Sequence, residues 1–123
     1  MNVTLYGIPN CDQVKKARTW LSEHQVTVDF HDFKKAGVTP ALISPWLKQL
    51  DWQILLNRRG TTWRKLPEAE QQAVIDADSA VQCMVNSPSV IKRPVLVIQT
   101  DMQVEIMVGF SEAEYRRWFT TQA

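Results

Sequence analysis

The chain is poor in cysteine: Cys11 and Cys83 stand 72 positions apart in 123 residues. A disulfide scaffold uses several cysteines and a zinc site uses closely spaced ligand pairs, so neither is expected. An excess of charge of one sign is also lacking. Fourteen Lys and Arg against thirteen Asp and Glu leave a net charge of +1. That balance gives no global case for nucleic acid or an anionic membrane surface. No apolar stretch approaches the ~18 residues of a membrane span. The first residues enter a strand pattern without the basic and apolar regions of a secretory leader. Internal repeats, low-complexity segments and flexible linkers are missing too. These absences lead to the expectation of a cytoplasmic, monomeric, one-domain protein with reduced thiols, no metal, no nucleic-acid partner and no membrane.

What is present is concentrated in residues 8–18. Val3 and Leu5 lead into Gly7 and Pro9, and an amphipathic pattern starts at once. Asn10 is a favourable N-cap, because its side-chain oxygen can accept from a free N–H of the first turn. That reading puts Cys11 in the first turn, where unpaired N–H groups and the helix dipole favour negative charge. Lys15 follows one turn on and Arg18 two, both on the Cys11 face. A thiol so placed ionises more readily than free cysteine, and the thiolate is the attacking form. The alternative is a small buried hydrophobe that happens to be cysteine.

Along the chain, Asn2 to Tyr6 alternates as a strand, and Cys11 to about Glu23 reads as a helix with Val14, Ala17 and Leu21 on one face. Val26, Val28 and Phe30 alternate with Thr27, Asp29 and His31, predicting a second, parallel strand. Thr39-Pro40 starts a helix over residues 41–50, and 52–56 is another short one. Residues 57–65 read as a basic loop, Pro67 opens a helix to about Ile75, and a further helix runs over residues 78–85. The segment from about 38 to 87 is therefore an all-helical insertion. Val95 to Ile98 is a continuous apolar run, as in a strand covered on both faces. Thr100-Asp101 turns into a hairpin with Val104, Ile106 and Val108. Ser111 and Glu114 form a capping box for a last helix carrying Tyr115, Trp118 and Phe119.

The order βαβ, helical insertion, ββα predicts an α/β thioredoxin-like fold with a mixed four-stranded sheet. In that fold a cis-proline precedes the third strand and abuts the reactive thiol, and Pro94 is the candidate.

Three segments carry a family resemblance: Gly7-Ile8-Pro9-Asn10-Cys11, Asn57-Arg58-Arg59-Gly60-Thr61-Thr62-Trp63-Arg64-Lys65-Leu66 and Ser87-Pro88-Ser89-Val90-Ile91-Lys92-Arg93-Pro94. Together they resemble the arsenate-reductase-like (ArsC/Spx) family over the full length, with the closest look to its YffB-type subgroup of glutathione-dependent thiol reductases. The resemblance implies a thioredoxin-like fold with a helical insertion, a single catalytic cysteine at Cys11 and a pocket lined by basic residues. Lys15 matches a basic position one turn beyond the nucleophile, and Arg93 matches an arginine that holds an oxyanion or stabilises the thiolate. Arg58 or Arg59 could supply a middle-loop arginine, although a strict alignment puts Asn57 there. Gly7 stands in place of a family histidine, and Gly109-Phe110 stands where arsenate reductases supply a further arginine. Val14 in place of cysteine removes the Cys-x-x-Cys switch typical of Spx.

The implied chemistry is attack by the Cys11 thiolate on an electrophilic sulfur or arsenic centre, giving a covalent adduct. With Val14 three residues on, an external thiol must resolve that adduct. Glutathione is the natural co-substrate, with glutaredoxin a candidate to act after it. The other readings are arsenate reduction using glutathione and glutaredoxin, and a non-catalytic Spx-like redox adaptor binding RNA polymerase. Arg93 could equally be a surface arginine before a proline, and the basic loop a solvated face. Cys83 reads as structural, Trp63 as a packing residue, and His24 and His31 as surface residues without metal-ligand spacing.

Overall fold

The computed structural model describes residues 1–121. Alternation in the first strand, β1 (Asn2–Gly7), buries Val3 and Leu5. The helix α1 (Asp12–Glu23) buries Val14, Ala17, Trp20 and Leu21, one stripe at helical spacing. Strand β2 (Asp29–Asp32) lies parallel to β1 with Leu5 opposite Phe30. Two later strands, β3 (Val95–Gln99) and β4 (Val104–Val108), complete a sheet of order β2-β1-β3-β4. β3 runs antiparallel to both β1 and β4, so the predicted mixed four-stranded sheet is present.

Leu5, Leu96 and Met107 stand in register across three strands on one face of this sheet. They share a core with the apolar stripe of α1 and with Tyr115 of the last helix, α8 (Glu112–Thr121). Ser111 caps α8 as expected, its Oγ accepting from the Glu114 N–H at 3.2 Å. In β4 the buried residue is Met107, while Val104 is exposed. Met107 shares the face that Leu96 presents, so the sheet rather than the Val-Ile-Val alternation chooses the inside.

The chain divides into two compact units, one of residues Met1–Asp32 with the chain from Arg93 onward, the other of Phe33–Lys92. The second unit is wider at both ends than the segment from 38 to 87. It is built from short helices: α2 (Phe33–Ala36), α3 (Pro40–Ile43), α4 (Trp52–Leu55), α5 (Thr61–Lys65), α6 (Glu68–Gln72) and α7 (Ala77–Asn86). An isolated antiparallel bridge, Leu56 to Ile91, is flanked by Asn57 N–H to Val90 O at 2.7 Å and Lys92 N–H to Leu55 O at 2.8 Å. α7 carries a capping box in which Asp76 Oδ1 accepts from Ser79 N–H and Ser79 Oγ accepts from Asp76 N–H.

Several expected boundaries are corrected. The second strand begins at Asp29, and Val26 and Val28 pack against the core without joining it. The helix predicted over 41–50 ends at Ile43, and a separate 3-10 turn covers Trp46–Lys48. Pro45 accounts for the break, because it has no N–H to donate and its ring crowds the carbonyl four residues back. The basic loop is shorter than 57–65, since Arg64 and Lys65 belong to α5. The helix after Pro67 stops at Gln72 rather than Ile75, and α7 begins one residue before Asp78 and ends at Asn86.

Candidate functional site

Strand direction brings the parts of the site together. β1 ends at Gly7, and β3, antiparallel to it, begins at that same end with Val95 opposite Tyr6. The Gly7–Cys11 turn therefore meets Arg93 and Pro94, which precede β3. The Arg93–Pro94 peptide bond is cis, as the fold order predicts. Pro94 is buried, and its carbonyl oxygen accepts from Gly109 N–H at 2.8 Å.

Cys11, not Asn10, is the N-cap of α1, with extended backbone at φ −145° and ψ 126°. Asn10 is a stronger capping residue by propensity, but it lies one residue outside the helix and is exposed. The consequence favours ionisation more than the predicted placement would. The Cys11 carbonyl accepts the first intrahelical bond, from Lys15 N–H at 2.9 Å. Its sulfur occupies the position of a capping oxygen. No ordinary side-chain cap bond forms there, and the N–H groups of Val14 and Gln13, the third and second helical residues, act instead on the anionic sulfur.

The thiol is partly exposed. Burial pushes its pKa up, and this is outweighed by the Val14 N–H, a hydrogen bond from the Arg93 side chain, the Gln13 N–H and the Arg93 charge. The net shift is downward from the ordinary cysteine value. Hydrogen bonding to the charged form and an adjacent cation thus set the balance against desolvation.

The other expected residues have settings of their own. Lys15 is exposed on the outer side of α1 and lines a shallow groove with Trp20, Glu23, Phe110 and Glu112. Arg18 sits with its guanidinium 4.4 Å from the centre of the Phe30 ring, a cation–π contact beside β2. Arg58 and Arg59 are exposed residues of the helical unit. Arg58 stacks over Trp52 at 5.3 Å and Trp63 at 6.0 Å, and the Arg59 N–H donates to Asn57 Oδ1 at 3.2 Å. Asn57 thus organises its own turn.

The second cysteine has the opposite setting. Cys83, on α7, lines a groove of about 530 Å³ that also holds Glu70, Val74 and Gln82. Burial and the Glu70 carboxylate both push its pKa up. His24 is more engaged than its sequence position suggests: the ring stacks on Trp20 at 3.8 Å, with Nδ1 2.8 Å from the Trp20 carbonyl oxygen. Among the described residues, no group of three or more His, Cys, Asp or Glu could hold a metal ion. No helix among them is long and apolar enough to cross a membrane.

A thioredoxin-like sheet with a thiol at a helix N-cap, hydrogen-bonded by an arginine that precedes a cis-proline, defines a thioredoxin-like protein with one thiol at the start of its first helix. The ArsC family model matches residues 6–118, and the chain belongs to the ArsC family. A solved structure named YFFB protein is 45% identical, covers 94% of this chain and 97% of its own, and superposes with a TM-score of 0.85. The solution structure of an arsenate reductase (ArsC) related protein from Brucella melitensis is 48% identical, covers 97% and 95%, and gives a TM-score of 0.71. The global transcriptional regulator Spx of Streptococcus agalactiae is 30% identical over 122 residues, 93% of this chain and 80% of that protein. The family and fold expected from the three motif segments are therefore both present.

Gln13 and Val14 were not anticipated as site residues, because they act through backbone N–H groups that any side chain would carry. The available signal was positional: the second and third residues after a capping cysteine supply those donors.

Proposed function

We propose that the protein is a glutathione-dependent thiol reductase in which Cys11 is the nucleophile and an external thiol resolves the adduct. The Cys11 thiolate attacks a sulfur of a glutathionylated substrate, forming a Cys11–glutathione disulfide and releasing the substrate thiolate. A second glutathione thiolate then attacks the glutathione sulfur of that adduct, returning the Cys11 thiolate and leaving oxidised glutathione. In net terms one glutathione thiol is consumed, the substrate thiol is released, and the disulfide bond passes from the substrate to oxidised glutathione. Each step is thiolate attack on a disulfide, with rate set by thiolate fraction, nucleophilicity and access.

The observation carrying this reading is the Cys11 sulfur, partly exposed and held toward its anion by two helix N–H groups and Arg93. Val14 occupies the position where an internal resolving thiol would stand, which favours an external one. Lys15 and Arg93 can pair with the carboxylates of glutathione. Arsenate reduction is the second reading, favoured by family membership; it would appear as arsenate-dependent turnover abolished by Cys11→Ser. The adaptor reading rests on the likeness to Spx, and an absence of association with RNA polymerase subunits would dispose of it.

Treatment with oxidised glutathione followed by mass spectrometry tests the leading reading. One glutathione is expected on Cys11, with Cys83 largely unmodified. Modification of Cys83 alone would overturn it.

A further inference from the structure

We propose that Gly7 is a positioning residue: by having no side chain, it lets the first turn of α1 close onto the end of β1 and aim its N–H groups at the Cys11 sulfur. The inference deepens the reading of Cys11 as a nucleophilic thiolate and rests on it.

Gly7 is buried at the last position of β1, opposite Asp32 of β2. The glycines with positive φ are Gly37 and Gly109, so the backbone at Gly7 does not itself demand glycine. Space does. A Cβ built there would lie 2.8 Å from Val14 Cγ2, 3.7 Å from Cγ1 and 3.8 Å from Cβ. The first distance is one that real Cβ atoms essentially never show.

Val14 has no easy way to yield. It is fully buried, and a β-branched side chain in a helix holds one strongly preferred χ1 rotamer. Protein interiors are close-packed, so a buried methyl group moves only at the expense of its neighbours. A side chain at position 7 would therefore move the backbone of the first turn. That turn carries the Val14 N–H, the leading favourable contact to the Cys11 anion, and the Gln13 N–H beside it. Hydrogen bonds lose strength steeply with distance and angle, so a displacement of a few tenths of an ångström is enough to weaken both. The missing methyl at position 7 and the acidity of the thiol are linked through one turn of helix.

The test compares the wild-type protein with Gly7→Ala, Val14→Ala and Gly7→Ala/Val14→Ala by the pH dependence of iodoacetamide reaction at Cys11. Glutathione is absent, so the result is separate from whether glutathione is the co-substrate. Thermal unfolding is followed in parallel. Gly7→Ala is expected to raise the midpoint of the profile and slow reaction at neutral pH by about threefold, as the thiolate fraction falls faster than the basicity gain restores nucleophilicity. Val14→Ala removes both Cγ atoms and leaves an ordinary 3.8 Å approach to Cβ, so the double variant should regain the wild-type midpoint. It should do so while remaining less stable than wild type, because a cavity replaces the valine methyls. A destabilised Gly7→Ala with an unmoved midpoint would show a purely structural glycine and overturn the proposal. If Gly7→Ala does not fold, recovery of folding and midpoint in the double variant supports it. A double variant that also fails, or folds with the raised midpoint, overturns it.

Discussion

The two units of this chain each carry one cysteine and treat it in opposite ways. In the sheet unit, the sulfur of Cys11 is placed where a helix starts, so N–H groups with no intrahelical partner point at it and Arg93 hydrogen-bonds it. In the helical unit, Cys83 lies well inside α7, where N–H groups are already spent on the helix ladder. Its charged neighbour is Glu70, and desolvation acts in the same direction. Both thiols are partly exposed, so access alone does not separate them. What separates them is where in a helix each side chain emerges and the sign of the nearest charge.

The largest expected effect comes from removing the cation on one side of this contrast. Arg93 acts on Cys11 both as hydrogen-bond donor and as charge. Arg93→Ala should move the alkylation midpoint of Cys11 upward and slow reaction at neutral pH by about threefold to tenfold. At alkaline pH, where every thiol is ionised, the more basic thiolate is the better nucleophile, so the plateau should rise instead. Arg93→Lys keeps the charge but loses the planar fork and should fall between the two. A profile for Arg93→Ala that superposes on wild type would leave the helix N–H groups as the sole cause and erase half of the contrast.

The same contrast predicts stability slopes of opposite sign, a smaller effect because both groups are partly in water. The folded protein lowers the Cys11 pKa, so ionisation favours the native state. That contribution is full above the pKa of the unfolded thiol, near 9.0, and disappears as pH falls through the lower native value. For Cys83 the native pKa is the raised one. Its contribution is full below about the unfolded value and is lost as pH rises through the native one. Between neutral pH and about pH 10, wild type should gain stability relative to Cys11→Ser and lose stability relative to Cys83→Ser. Denaturant midpoints measured across that window would read both. Slopes of the same sign would mean that unfolded-state differences dominate the comparison.

The sheet unit was far more legible in the sequence than the helical unit, and for a physical reason. Val3 and Leu5, the stripe Val14, Ala17 and Leu21, and the run Val95 to Ile98 each repeat with the period of their own element, and each buries that face. Even the site followed from topology, since a strand beginning after Pro94 must end up beside the strand that ends at Gly7. Misreadings arose where local preference and tertiary context part. Asn10 has the better capping chemistry, yet the helix starts one residue later and gives the cap to Cys11. Val26 and Val28 alternate as a strand but lie before it, packing without pairing. In the helical unit most helices span only four or five residues, about one turn, which is too short for a 3.6-residue period to declare itself. Arg58 shows the same limit for function: its charge was visible, its seat over Trp52 and Trp63 was not.

The smallest effect sharpens the other half of the contrast. Glu70, on α6, raises the Cys83 pKa, but it follows burial as a cause. Glu70 is exposed, and water and salt screen such a charge strongly. Glu70→Gln, made in a Cys11→Ser background so that one thiol reports, should lower the Cys83 midpoint slightly and speed its alkylation by less than about twofold. Added salt should do the same to the parent and leave the variant unchanged, because both remove one interaction. Desolvation would persist in either case and hold Cys83 above an ordinary cysteine. A midpoint indifferent to both the substitution and salt would assign the raised value to burial alone, and the two thiols would then differ by helix position without any help from the acidic neighbour.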